Sequence, residues 1–349
     1  MKKTILAVAI PAVLFAGSAS AVEILKSEEG SVDFYGHLRT ELKAGVDTVD
    51  ADDKKIDGTT TLGAGSSRAG LSASYAIGEG INAIGLFEFG ISGNGGALEN
   101  RLHYAGFDGD FGMLTFGRQW THQDDYGSAD QSYFFGGTAL RYTAESGGLH
   151  DNLVKYKFNG ESFGVGASYG LDEDESAAEL YEIFVDGNIA GLGLIAGYAG
   201  EKDNVGVTET LETAAWTLQA DYSIGDLYLK GSYYNNEYTQ QNDKITEDAL
   251  GLGGVYSFGK TALYGGYEYV SFDGTVGGVD ISSSDIKDNS SVFYLGVEHK
   301  FNSWARVYAE YAYLDGTTLG VTNNETGVDI GPTRFDKAST VAAGMRVYW

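Results

Sequence analysis

The stretch Trp304-Ala305-Arg306-Val307-Tyr308-Ala309-Glu310-Tyr311 carries the clearest structural signal in the chain. Val307, Ala309 and Tyr311 fall on one face of an extended chain, and Arg306, Tyr308 and Glu310 fall on the other. That is the period-2 pattern of a sheet lying between two environments. Residues 291–300 repeat it, with Phe293, Leu295 and Val297 opposed to Tyr294, Gly296 and Glu298. Residues 32–43 repeat it again, setting Phe34, Leu38 and Leu42 against Asp33, His37, Arg39, Glu41 and Lys43.

Along the rest of the chain, the pattern predicts sixteen strands, at 31–45, 61–77, 81–92, 98–108, 111–119, 151–158, 162–170, 179–188, 190–201, 211–223, 226–237, 247–258, 261–272, 290–300, 304–315 and 338–349. Short connections such as Gly78-Glu79-Gly80, Asn159-Gly160-Glu161, Ile224-Gly225-Asp226, Gly259-Lys260 and Asn302-Ser303 read as hairpin turns. They alternate with longer polar ones at 46–60, 120–150, 171–178, 202–210, 238–246, 273–289 and 316–337. One tight rim and one elaborated rim are the form of an outer-membrane barrel, and an even strand count puts both ends of the chain at the tight rim. The expected fold class is all-β, a transmembrane antiparallel 16-stranded β-barrel. A soluble sandwich explains neither the alternating connection lengths nor the hiding of so much aromatic surface. Trp216, Phe258, Phe272, Trp304, Tyr313, Tyr348 and Trp349 lie near strand ends, which suits two girdles at headgroup level.

Composition agrees. The chain has 349 residues with 51 Gly, 24 Tyr, 17 Phe and 4 Trp, too rich in apolar and aromatic groups for a disordered chain. It has no Cys, so no disulfide, thiolate metal site or cysteine nucleophile is expected. A formal charge of −26 argues against nucleic acid as a partner, since counterion release needs a basic footprint. Met1-Lys2-Lys3, the apolar run 5–16 with Pro11, and Ala19-Ser20-Ala21 read as a secretory signal over 1–21, cleaved before Val22. Losing Lys2 and Lys3 takes the charge to −28, and residues 22–349 form a single domain. No later apolar run reaches 18 residues, so no helix is expected to span a membrane.

Several segments carry a resemblance. Val32-Asp33-Phe34-Tyr35-Gly36-His37, Ser67-Arg68-Ala69-Gly70-Leu71, and Arg101-Leu102-His103-Tyr104-Ala105-Gly106-Phe107 followed by Phe116-Gly117-Arg118-Gln119 resemble the early strands of the general diffusion porins of Gram-negative bacteria. Phe135-Gly136-Gly137-Thr138 is similar to the Phe-Gly-Gly of the loop that folds into the lumen in that family. The closing Ala343-Gly344-Met345-Arg346-Val347-Tyr348-Trp349 resembles the terminal strand read by the barrel-assembly machinery, with Trp349 as the aromatic signal. The resemblance covers essentially the whole mature chain. It implies a homotrimer in the outer membrane and an inward-folded third loop at about 120–150. It also implies a constriction between basic wall residues and acidic loop residues.

On the basic side the matching positions are His37, where many relatives have Lys, then Arg68 and Arg101, with Lys155 or Lys157 as the fourth member. On the loop side Asp130 matches an acidic position. Phe134 and Thr138 stand where relatives often carry carboxylates, and Asp124, Asp125 and Glu145 are candidates to compensate. The connection Gly93 to Ala97, which latches a neighbouring subunit in the family, is short here.

The residues make the same sense without the family. Arg39, Arg68, Arg101 and Lys157 lie on the polar side of alternating strands, and a lipid-facing Arg near midplane costs about 2–4 kcal/mol, so they face a lumen. A thirty-residue connection without strand pattern is usually functional. Folded inside, it sets carboxylates opposite cations, and the transverse field favours small polar solutes. The expected function is passive diffusion of ions and small hydrophilic solutes, with cation preference from the acidic balance. Acid runs such as Asp172-Glu173-Asp174-Glu175 read as solvated tips that bridge lipopolysaccharide through divalent cations, and they lack the spacing of a calcium loop.

Rival readings are a substrate-selective, chitoporin-like oligosaccharide channel, supported by the Tyr content and Phe134, and an outer-membrane hydrolase using His122 with Asp124 and Asp125. A receptor or adhesin role uses the same loops. No P-loop, zinc-ligand spacing or Gly-x-Ser-x-Gly elbow is present, and no cofactor or metal is expected.

Overall fold

Alternation along the chain becomes a closed cylinder. The computed structural model describes residues 21–49, 54–91, 98–127, 130–140, 143, 148–171, 178–205, 209–276, 279–280, 289–318, 321–323, 328–330 and 333–349. Its wall is built from β1 (Gly30–Lys43), β2 (Arg68–Gly78), β3 (Ile81–Ile91), β4 (Leu98–Gly109), β5 (Gly112–Trp120), β6 (Leu149–Asn159), β7 (Phe163–Gly170) and β8 (Glu179–Ile189). It continues through β9 (Leu192–Val205), β10 (Glu209–Ile224), β11 (Leu227–Gln240), β12 (Asp243–Phe258), β13 (Thr261–Val276), β14 (Asn289–Asn302), β15 (Ala305–Thr318) and β16 (Thr333–Tyr348). Each strand pairs antiparallel with the next, and β16 returns to β1 through His37↔Tyr348 to Lys43↔Ala342. Closure removes the open edges that a sheet in lipid could not tolerate.

The two faces differ as the sequence requires. On β14, Phe293, Leu295 and Val297 are exposed on the outside, while Val292, Tyr294 and Glu298 are buried on the inside. Two inner clusters tie the wall to the connection after β5. Ala139 and Leu140 pack with Tyr234, Ala249 and Val270, and Tyr133 and Phe135 pack against Tyr264, Val292, Tyr294, Ala312 and Leu314.

Several boundaries differ from expectation. The second strand begins at Arg68 rather than 61, because Thr61–Gly63 pairs separately with Glu41–Lys43. The chain then breaks at Ala64–Ser67, where Gly65 has φ +53° and the Ser67 hydroxyl donates to the Ala64 carbonyl at 2.6 Å. The polar connections expected at 202–210 and 238–246 shrink, because β9 to β12 run on above the apolar band, and β11 and β12 are joined by two residues alone, Gln241 and Asn242. Val22–Lys26, unassigned from sequence, pairs with β1 (Val22↔Phe34 to Lys26↔Ser31) on the edge that β16 leaves free below Trp349. The expected signal segment 1–21 lies, but for Ala21, outside the described residues, as do Gly93–Ala97 and Asp172–Glu175.

Candidate functional site

The connection from Thr121 to Gly148 follows β5 and opens with the short helix α1 (His122–Tyr126), capped by Thr121, whose hydroxyl accepts the Asp124 N–H. Carboxylates of the wall grip this connection at three places. Glu182 of β8 accepts the N–H groups of His122 (2.8 Å) and Gln123 (3.0 Å) and the Ser168 hydroxyl. Glu268 of β13 accepts those of Gly137 (2.8 Å) and Ala139 (2.9 Å) and the Thr138 hydroxyl. Glu310 of β15 accepts those of Tyr133 (2.8 Å) and Phe135 (3.0 Å), and the hydroxyls of Ser132 and Tyr264. These three carboxylates are only 4%, 2% and 3% exposed, so they act as clasps on backbone rather than as free lumen charge. All three alternate with outward apolar residues, and the clasped segment therefore runs along the inner side of the wall.

Other contacts complete the seat. The Gly127 carbonyl accepts from the Tyr234 hydroxyl and from Gln219 Nε2 (2.5 Å), and the Tyr126 hydroxyl donates to Asp186 at 2.6 Å. Gly136 permits the turn, because a Cβ there would stand 2.1 Å from Asp130 Oδ1, and Gly137 takes φ +93°.

The expected basic residues divide into two groups. Arg101 is buried, paired with Glu88 at 2.9 Å, and stacked 4.6 Å from the Trp120 ring. Lys155 is buried against Asp125 at 2.6 Å and donates to the Trp120 carbonyl at 2.6 Å. Lys157 shares the inner face and lies 5.2 Å over the Tyr126 ring. His37 is buried, its Nε2 2.9 Å from the Ser66 carbonyl oxygen, so it does not stand as an open cation. Arg39 and Arg68 differ. Arg39 comes no closer than 3.8 Å to Glu41, and among the described residues no carboxylate pairs with Arg68.

Two arginines were not among the expected site residues. Arg346 lies directly opposite Arg39 on one side and Arg306 on the other, so one rung across β15, β16 and β1 carries three guanidinium groups. Arg306 is paired with Glu298 at 2.9 Å and donates to the Tyr133 hydroxyl at 3.0 Å. Arg346 donates to the Tyr348 hydroxyl at 3.2 Å and sits 5.6 Å from the Tyr133 ring centre. The alternation of β15 and β16 puts both on the polar face. Their alignment with Arg39 depends on the closing register, which no local pattern encodes.

On the loop side, Asp125 is neutralised by Lys155, and Asp124 interacts electrostatically with Arg101. Asp130 accepts the Ser132 N–H at 2.6 Å, and burial, followed by the nearby Glu268 charge, holds its carboxyl well above the usual range. Phe134 is half-buried against Tyr308, with Lys43 Nζ 5.6 Å over its ring. Glu145 lies outside the described residues. His122 is fully buried, with Nε2 3.0 Å from the Tyr156 carbonyl oxygen, and burial with the Lys155 charge holds its imidazole pKa well below the ordinary value. Among the described residues no group of His, Asp or Glu has metal-site geometry.

Known proteins share this architecture. A family model described as "Gram-negative porin" matches residues 6–319. "Porin-like protein H" of Photobacterium profundum is 28% identical, over 90% of this chain and 95% of its own. OmpT, an outer membrane protein of Vibrio cholerae, is 41% identical in its in-vitro folded structure, covering 94% of this chain and all of its own with a TM-score of 0.81. A structure of OmpT described as a trimer form is 40% identical over 92% of this chain and all of its own, with a TM-score of 0.80.

Proposed function

The chain belongs to the Gram-negative porin family, and from that membership we propose how its lumen is arranged to sort solutes. It is a passive diffusion channel of the outer membrane. Ions and small hydrophilic solutes pass the narrowing left by the clasped segment 121–140, with the arginines of β15, β16, β1 and β2 on the wall beside it. The observation that carries this reading is the set of bonds from Glu182, Glu268 and Glu310 to the connection. A long segment fixed to the inner wall at three points narrows a lumen permanently. Arg39, Arg68, Arg101, Lys155 and Lys157 form the basic side, and Asp124, Asp125, Asp130 and Phe134 the loop side.

Weak cation preference follows from the overall acidity, because negative potential at the mouths concentrates cations, while the buried clasps add little within. Reversal potentials in a salt gradient test this. A cation-positive preference is expected to increase on charge removal at Arg68, and an unchanged value would put Arg68 outside the conducting path.

A channel reading is favoured over a hydrolase because His122 is sealed from water and Asp125 is engaged by Lys155. It is favoured over an oligosaccharide slide because Tyr133 and Tyr308 stack on one another at 4.2 Å rather than lining a track. Export through cleavage after residue 21 suits a mature start at Val22, the first residue of the strand under Trp349. N-terminal sequencing of protein from outer membranes tests it. Trp349 serves as the assembly signal, and lipopolysaccharide contacts the outer loops through divalent cations.

The assembly is a homotrimer. OmpT has been described as a trimer form, and the outer face of this chain has one place unsuited to lipid. There Arg118 of β5 pairs with Asp151 of β6, and Asn100 contacts His103 on β4. Along β12 the outward residues remain apolar up to Leu250, eight residues from the strand's tight-rim end, whereas Arg118 and His103 stand only six from theirs. A neighbouring subunit covers that polar patch. Crosslinking in intact outer membranes through a cysteine at Asn100 is expected to give linked subunits.

A further inference from the structure

We propose that the closing seam of the barrel holds a binding station for multiply charged oxyanions of the phosphate or sulfate type, centred on Arg346 and completed by Arg39 and Arg68. The proposal rests on the channel reading above and names one solute class that the lumen retains.

Three observations converge. Arg346 is directly opposite Arg39 on β1 and Arg306 on β15, and His37 is opposite Arg68 on β2, so four adjacent strands bring guanidinium groups to one inner patch. Like charges opposed across a sheet repel, and such a row is unfavourable unless counter-charge reaches it. The wall does not supply that charge. Arg101 has Glu88 at 2.9 Å and Arg306 has Glu298 at 2.9 Å. Arg39 has Glu41 at 3.8 Å alone, and that carboxylate also accepts the Tyr308 hydroxyl at 2.9 Å. Arg68 and Arg346 pair with no carboxylate among the described residues. The third observation is that Nε of Arg39 and Nε of Arg346 are both buried without a hydrogen-bond partner.

Chemistry then selects the ligand. Planar guanidinium forks match tetrahedral oxyanions through paired N–H···O bonds, and a group with two or more charged oxygens engages several forks at once. Chloride, with one charge and no fixed geometry, gains far less. Rings on either side hold the forks in place. Arg306 lies 4.9 Å over Tyr348, and Arg346 lies 5.6 Å from Tyr133 and 5.9 Å from Tyr308. Tyr133 is itself clasped through its N–H by Glu310, so the inner connection helps to position the station.

The test uses the intact channel in planar bilayers in potassium chloride, with inorganic phosphate and then pyrophosphate added at constant ionic strength. Wild-type current is expected to fall saturably, with pyrophosphate acting at lower concentration. Arg346→Gln and Arg39→Gln are each expected to raise the half-blocking concentration about tenfold or more, and Arg346→Lys, which keeps charge without the fork, falls between. Lys202→Gln on the outer face is expected to leave the block unchanged. A current that declines without saturation, or identical block in wild type and Arg346→Gln, overturns the station while the channel reading stands. If Arg346→Gln does not assemble, Arg39→Gln makes the same comparison. Absence of any conductance in wild type overturns the channel reading instead.

Discussion

Two parts of the inner wall carry opposite charge and use it differently. On β8, β13 and β15, Glu182, Glu268 and Glu310 are almost fully buried and each grips two backbone N–H groups of the inner connection. On the neighbouring seam, Arg39 and Arg346 keep buried nitrogens without partners. Acid at these three places fastens a segment, and base on the seam is left short of counter-charge. Within the lumen, net charge therefore overstates the acid a solute meets, because Glu182, Glu268 and Glu310 are engaged by the chain's own backbone.

Substitutions put that contrast under test. The largest effect is expected from Glu310→Ala, which leaves the Tyr133 and Phe135 N–H groups without an acceptor and releases the Tyr264 hydroxyl. Each buried donor left without its acceptor costs about 1–3 kcal/mol, summed here over several donors, and amide hydrogen exchange at 131–137 should accelerate accordingly. Next is Lys155→Met, which leaves Asp125 of α1 uncompensated. A loss of about 3–5 kcal/mol is expected from an uncompensated buried charge, read as faster exchange at 122–126. If these two variants instead shifted reversal potential strongly while leaving exchange unchanged, the fastening roles of Glu310 and Lys155 would fail.

Smaller effects probe selectivity and pH. Arg39→Gln is expected to move the reversal potential toward cations by a few-fold in permeability ratio, whereas Glu268→Gln is expected to move it hardly at all. Asp130 gives the pH dependence. Its carboxyl is held above the usual value of about 4 by burial and by Glu268. A raised acid contributes its full share to the docked state below the unfolded value, and that share is lost as pH rises through the raised one. The connection is therefore expected to be held more tightly at low pH, with slower exchange at 130–137, and Asp130→Asn should flatten that dependence.

How far the sequence reads depends on the range of each signal. Strand faces are local, so Phe293, Leu295 and Val297 against Tyr294 and Glu298 are legible from alternation alone. The strand Val22–Lys26 shows no clean alternation and is fixed by pairing with residues 31–34, which places it only once β1 is in position. The clasps were hidden for another reason. Glu268 and Glu310 look like solvated lumen residues in sequence, and only a segment more than 120 residues away reveals what they hold. Arg306 and Arg346 were visible as inner-face residues, yet their meeting with Arg39 depends on how the last strand aligns with the first.

That alignment bears on biogenesis. Trp349 and Gly36 exchange backbone bonds in both directions, each at 3.1 Å, at the point where the two ends of the sheet are stitched. The arginine rung beside it has no existence in any partly built sheet, since its members come from positions 39, 306 and 346. Oxyanion capture is thus a property that appears only with the final zip of the wall, and it offers a readout by which finished cylinders can be told from arrested ones.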